Sequence, residues 1–353
     1  MDNFDEYVRQ GEPNKAEKAK VWKTAIGLQQ IDGLKTSDYL IETAKQNIEG
    51  DITIEEVKQR IDSYYKLQPT QTNEDRTEEA DKVSARIAEM LGEQTFTFSP
   101  VEYLNIHRRL FQGIYKFAGK IRDYNITKQE WVLNGETVLY GSAESLKATL
   151  EYDFEQEKQF SYKGLSQQET IDHIAQFITY LWQIHVFGEG NTRTTALFLI
   201  KYLRTFGFTV NNELFERYSW YFRNSLVRAN YKNHTKGIHA TNEFLLLFMG
   251  NLMLGEKNTL QNRQMHVHYI EPKNTQNDPV KEVNDPVKEV NDPVKVSVLQ
   301  QLQQKSNSNY AELAAKAGYS VATIKRHIQE LKKLGLIERI GSDKTGYWKI
   351  VSK

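Results

Sequence analysis

The chain has 353 residues, enough for two or three domains, and 39% of them are hydrophobic, enough for ample cores. It has no cysteine, which excludes disulfide frameworks and thiolate metal sites, and 46 Lys/Arg balance 46 Asp/Glu, so net charge names no partner. No apolar run approaches the roughly 20 residues of a membrane helix, and the charged N-terminus is unlike a secretory signal, so a soluble cytoplasmic protein with no membrane partner, most simply bacterial, is expected.

The first segment, taken as residues 1–75, reads as a packed helical subdomain over 15–65. A larger domain is expected over 76–255. Within it, Tyr124 to Tyr140 alternates weakly and carries Asn134-Gly135, a two-residue hairpin turn signal. From Gln168 to Ile184 the apolar positions Ile171, Ile174, Phe177, Ile178, Leu181 and Trp182 mark one face of an amphipathic helix. His185 ends that face, and Phe187 is expected to turn back into the core. Gly188 and Gly190 then break the helix and permit positive φ. Asn191 or Thr192 suits an N-cap for a second helix, and Gly207 suits its stop.

A glycine-bent loop entering a helix start exposes N–H groups and the positive end of the helix dipole, which together favour an anion. Arg193 opposes that dipole, so an anionic partner is expected for it: Glu189, or a phosphate, which would leave Glu189 for a divalent cation. Taken singly, His185 reads as a core histidine, Glu189 as a surface carboxylate, and Gly-x-Gly as weak evidence. Within nine positions they supply complementary parts of one mechanism.

Beyond the large domain, 256–295 reads as a linker. Asn277-Asp-Pro-Val-Lys-Glu-Val repeats from Asn284 and, truncated, from Asn291, and prolines at that spacing rule out a continuous helix. The remainder, 296–353, holds ten Lys/Arg and four Asp/Glu, so a module of charge +6 hangs on a body of −6. Helices are expected over Val296–Gln304, Ala311–Ala317 and from a Ser320 cap onward, followed by Leu336 to Ile340, a turn over 341–346, and a last strand from Tyr347. Three helices and a two-stranded wing resemble a winged helix-turn-helix, with Ser320, Thr323, Lys325 and Arg326 facing DNA and Lys344 on the wing.

The run His185-Val-Phe-Gly-Glu-Gly-Asn-Thr-Arg193 resembles the Fic signature, His-x-Phe-x-Asp/Glu-Gly-Asn-Gly/Lys-Arg-x-x-Arg. The resemblance implies a mainly α fold: a helical bundle with a β-hairpin flap. It implies AMP transfer from Mg-ATP to a hydroxyl of a target protein, or of the chain itself. His185 would be the general base and Glu189 the Mg²⁺ ligand. Gly188, Gly190, Asn191 and Thr192 would form the anion cradle, and Arg193 would hold the departing phosphates. An imidazole suits the first role and hard Mg²⁺ the second. The base must reach solvent, and the bend must admit a nucleotide. Ser99 to Phe111 resembles the family's first core helix, 124–140 its target-docking flap, and the stretch around Trp220, Tyr221 and Asn224 the adenine side. Two positions depart from the pattern: Thr192 adds a β-branched side chain, and Ala196 replaces the second arginine.

Val21 to Ser37 resembles the small antitoxin helices of Fic proteins, whose inhibitory pattern is Ser/Thr-x-x-x-Glu-Gly. Here Asp32-Gly33 takes the Glu-Gly place and Leu28 the Ser/Thr place. With Asp32 one methylene short and Ala196 in place of arginine, the inhibitory scaffold is expected to lack its charge clamp. The competing function is a DNA-binding regulator whose Fic domain senses nucleotide. Oligomeric state, self-association included, is left open.

Overall fold

The computed structural model describes residues 4–67, 76–208, 210, 213–269, 293–333, 335–340 and 347–351. Among these the elements run α1 (Asp5–Gln10), α2 (Pro13–Gly27), α3 (Asp38–Glu49), α4 (Ile54–Leu67), α5 (Thr77–Gly92), α6 (Pro100–Phe111), α7 (Leu146–Gln159), α8 (Gln167–Ile184), α9 (Asn191–Thr205), α10 (Glu213–Ala229), α11 (Glu243–Leu254), α12 (Pro293–Gln304), α13 (Tyr310–Ala317), α14 (Val321–Lys333), β1 (Ile337–Ile340) and β2 (Tyr347–Ile350). The chain divides into two units, one of 1–127 with 138–265 and one of 128–137 with 266–353.

The first unit is wrapped around α9. Every residue from Asn191 to Leu203 is buried, as for a helix at the centre of a bundle. Helices α5, α6 and α8 pack on it. Helix α6 starts at Ser99, whose hydroxyl accepts the Glu102 N–H, with Pro100 in the first turn. Helix α8 starts with a capping box between Ser166 and Glu169 and buries the expected apolar face. Helix α2 lies between α5 and α10. A side chain at Gly27 would strike the Glu216 main chain, so the absent Cβ lets α2 end directly against α10. Ser219 fastens the junction by donating to the Gly27 carbonyl at 2.9 Å. The chain then tightens into a 3-10 turn, Leu28–Asp32, which packs on α9 and α10. Residues 256–265, expected as linker, pack instead: Leu260 and Met265 are buried, and Asn262 accepts from Asn224 of α10 at 2.8 Å. The repeats over 277–292 lie outside the described residues.

In the second unit the expected turn forms, with Asn134 at φ 55° and Gly135 at φ 86°, but the expected β-hairpin does not. Trp131–Leu133 coils into a 3-10 turn that buries Val132 and Leu133, and successive buried residues cannot alternate as a strand requires. Main-chain bonds from the Glu130 N–H to the Glu136 carbonyl at 2.9 Å and from the Gly135 N–H to the Glu130 carbonyl at 3.0 Å close the loop. Later in the chain, α12, α13 and α14 enclose Leu299, Leu313, Ile324 and Ile328, while β1 pairs antiparallel with β2, Ile337 opposite Ile350. Helix α12 begins at Pro293, slightly before the expected module start.

Candidate active site

Helix α8 ends on His185 itself, in the left-handed conformation at φ 52°, ψ 55°. That costs a non-glycine residue about 1–2 kcal/mol, so the surroundings must hold it there. Arg122 does so. Its Nε donates to the His185 carbonyl at 2.8 Å, its Nη atoms donate to the Tyr124 and Gly141 carbonyls, and its N–H reaches the Val186 carbonyl at 2.9 Å. One guanidinium thus ties both strands at the base of the 124–140 excursion to the motif. Its role was missed in the sequence because a lone arginine has no periodicity to betray it.

The imidazole Nδ1 of His185 lies 3.2 Å from the Trp182 carbonyl. A carbonyl only accepts, so Nδ1 carries the hydrogen and the neutral ring keeps its lone pair on Nε2. That tautomer suits a base. The requirement of an accessible ring is not met in this state: His185 is 3% exposed, with the Tyr140 ring over it at 4.2 Å between centroids.

Gly190 caps α9 at φ 77° with no side-chain cap, and the first helical bond runs from the Thr194 N–H to its carbonyl at 3.0 Å. The N–H groups before Thr194 therefore lie outside the helical ladder, as an anion site requires. A side chain at Gly190 would run into the Phe111 ring, and one at Gly188 would come 2.6 Å from the Tyr124 hydroxyl. The side chains of Asn191 and Thr192 are both spent on internal bonds. The Asn191 carboxamide brackets the loop, accepting the Phe187 N–H at 3.0 Å and donating to its carbonyl at 2.8 Å. The Thr192 hydroxyl accepts from the Trp182 indole at 2.9 Å, which turns the extra β-branch into the core. Glu189 projects from the loop, exposed, while its carbonyl accepts from His107 Nε2 at 2.9 Å.

His107 of α6 is a second histidine beside the loop, and no sequence pattern singled it out. It stacks on Phe187 at 3.6 Å and accepts the Gly119 N–H on Nδ1 at 2.8 Å. Burial pushes its pKa down to about 4, only partly opposed by the bond to Glu189 and assisted by the nearby Arg193 charge.

Arg193 is wholly buried, its guanidinium over the Phe111 ring. Nε lies 2.8 Å from Asp32, Nη1 donates to Gln29 at 3.0 Å, and Nη2 donates to Glu79 at 2.7 Å. The Asp32 contact is an ion pair without hydrogen-bond alignment. Burial alone would lower the guanidinium, but Asp32, Tyr115 and Glu79 outweigh it and hold the group above its ordinary range. Burial works against the Glu79 charge too, yet Arg193, Arg76 and Tyr115 keep its carboxyl below the usual range. The expected clamp to a second motif arginine is indeed not available, and Asp32 pairs with Arg193 instead. With alanine at 196 buried in the bundle, the shorter Asp32 reaches the first motif arginine instead of a second one.

Residues 97–203 match the Fic/DOC family model. The chain carries a Fic/DOC domain. Residues 291–338 match the model of winged helix-turn-helix DNA-binding domains, so the Fic domain is joined to a C-terminal module of that type. Among curated proteins, the protein adenylyltransferase VbhT of Bartonella schoenbuchensis is 29% identical over 112 residues, 32% of this chain. That stretch spans 22% of the relative's own length. Similar solved structures include the N-terminal FIC domain of Bep8 from Bartonella sp. 1-1C, 17% identical with a TM-score of 0.42, covering 53% of this chain and 88% of that one. A Fic family protein from Desulfovibrio desulfuricans G20 is 12% identical with a TM-score of 0.42, covering 99% and 93%.

Tyr221 lies where α10 packs on α11, its ring 6.4 Å from Phe248 and its buried hydroxyl without a hydrogen-bond partner. In the winged module Ser320 is spent as the cap of α14, accepting the Thr323 N–H at 3.1 Å. Lys325 is exposed, 5.6 Å from the Tyr310 ring, and Arg326 is half-buried. Lys344 lies outside the described residues.

Proposed function

We propose that the chain transfers AMP from Mg-ATP to a hydroxyl of a protein target, and that it rests in a closed state. The observation that carries this is the uncapped start of α9 with an arginine in its first turn already holding carboxylates in place of phosphate. His185 Nε2 would take the proton of the incoming hydroxyl as its oxygen attacks the α-phosphorus, and pyrophosphate would leave. The main chain of Gly188, Gly190, Asn191 and Thr192 would bind phosphate oxygens, and Arg193 would stabilise the leaving pyrophosphate. Tyr221, with its unpartnered hydroxyl, is assigned to the base end of the nucleotide. Glu189, exposed on the loop, would hold Mg²⁺, which neutralises phosphate charge. The donor set fits: one hard carboxylate beside a helix start that favours anions. The stretch Tyr124 to Tyr140 is read as the flap that would receive the target segment. The adenylyltransferase relative supports this reaction class.

Asp32, at the end of its 3-10 turn, is assigned the inhibitory role, since its carboxylate covers the Nε edge of Arg193 that a phosphate would need. Access to His185 requires the Tyr140 ring to move aside. Incubation with α-labelled and γ-labelled ATP tests the reading. The α-label alone should appear on protein, strongly in Asp32→Ala and not in His185→Ala. An Asp32→Ala protein that binds ATP yet takes up no label would overturn it. The winged helix-turn-helix match favours a second reading, a DNA-binding regulator whose Fic domain senses nucleotide. That reading gains if ATP changes DNA affinity while no label is transferred.

A further inference from the structure

Resting on the nucleotide-site reading above, we propose that Arg76 is the second phosphate-binding guanidinium of this site, supplied from the start of α5 because position 196 is alanine. A buried triphosphate needs more countercharge than Mg²⁺ and one arginine provide. Helix α9 offers none beyond Arg193. Ala196 is wholly buried, Lys201 donates to the Met90 carbonyl at 2.8 Å, and Arg204 donates to the Leu91 carbonyl at 2.6 Å.

Arg76 comes from outside the motif and reaches the same place. Its Nη2 and the Arg193 Nη2 both lie 2.7 Å from a single oxygen, Glu79 Oε1. Two guanidinium forks sharing one carboxylate oxygen are spaced as two forks sharing a phosphate oxygen would be. Arg76 also stands nearer to water, with 40% of its side chain exposed against 0% for Arg193. Its backbone is strained, at φ 48°, ψ 28°, in a region that non-glycine residues avoid. The side chain holds it there through Nε to Glu79 Oε2 at 2.9 Å and Nη2 to the Tyr115 hydroxyl at 2.8 Å. Strain kept at a site edge by polar contacts is consistent with a working position. When phosphate arrives, each arginine turns a remaining N–H to it and keeps Glu79 on the rest of its fork, and Glu79 retains the Tyr115 hydroxyl, which donates to it at 2.7 Å.

Calorimetric titration of ATP and of AMP into the full chain tests this, using Asp32→Ala to release Arg193. Adding Arg76→Gln should weaken ATP about tenfold or more and leave AMP within about twofold, because only the β- and γ-phosphates are addressed. Arg76→Lys, which keeps the charge and loses the fork, should fall between. Unchanged ATP affinity, or equal losses for ATP and AMP, overturns the assignment. If circular dichroism shows Arg76→Gln unfolded, the lysine variant decides by the same ATP-to-AMP ratio. Should Asp32→Ala bind neither nucleotide, the transferase reading fails together with this one; ATP binding indifferent to Arg76 sinks this one alone.

Discussion

His107 shows how a single buried ring sets a pH limit on the site. Its pKa is pushed down to about 4, below the roughly 6.5 of an unfolded histidine, so between those values the unfolded chain binds more protons. Its contribution is therefore complete above about pH 6.5 and is lost as pH falls toward 4, at most about 3 kcal/mol. Urea midpoints should drop across that window in the native chain, and the drop should shrink in His107→Asn. A slope unaffected by the substitution would place the titration elsewhere. At Arg193, removing the guanidinium takes one of two cations from the buried Glu79, which keeps the Arg76 fork, so the loss stays below the roughly 3–5 kcal/mol of a fully broken buried pair. Arg193→Ala should therefore lose stability as well as nucleotide binding. Asp32 is partly exposed, and when it goes the buried Arg193 keeps Glu79 and Gln29. Asp32→Ala should cost about 1 kcal/mol of stability at most and raise transfer about tenfold, the factor that some 1.4 kcal/mol of released competition gives. A labelling assay at ATP well below saturation checks the rate; no increase would remove Asp32 from the inhibitory role.

Among elements, the bend between α8 and α9 is held from outside its own sequence. Arg122 gathers carbonyls from 124, 141 and 185, and His107 of α6 holds the Glu189 carbonyl. Arg122→Lys keeps charge and loses the fork, so it should depress kcat more than the ATP dissociation constant and cost about 1–3 kcal/mol in denaturation. Equal loss in both would argue for general loosening. Gly190→Ala meets two obstacles, a left-handed backbone and the Phe111 ring, and should lower the melting temperature while a similar change at the open, left-handed Gly113 costs less. The flap segment shows the limit of pattern reading. Its turn dipeptide correctly located Asn134 and Gly135, because left-handed geometry is a local property. Its strands did not form, because Val132 and Leu133 are both buried and a neighbour's apolar surface overrides weak alternation.

On the scale of the whole molecule, a Fic/DOC domain and a winged helix-turn-helix module share one chain. The basic surplus of the tail is the electrostatic footprint expected of a phosphate-backbone reader. Lys325→Ala with Arg326→Ala should weaken DNA binding and reduce the slope of log affinity against log salt by roughly 2, about 0.9 per lost phosphate contact. Labelling from ATP should be unchanged in that variant if the two activities are separate. Labelling that responds to DNA in the native chain, and no longer does so in the variant, would join them.

The sequence by itself pointed to the Fic/DOC and winged helix-turn-helix stretches that the family models match. Helix periodicity, glycine placement, the motif from His185 to Arg193 and the repeat-bounded tail are local signals, carried by residues close in the chain. Tertiary structure alone decided which charge meets which. Gln29, Asp32, Arg76, Glu79 and Tyr115 lie far from Arg193 in sequence and gather about it only because α5, α6 and the 3-10 turn after α2 pack on one central helix. Ion pairs in a buried site follow proximity in space, and residue spacing does not encode that proximity.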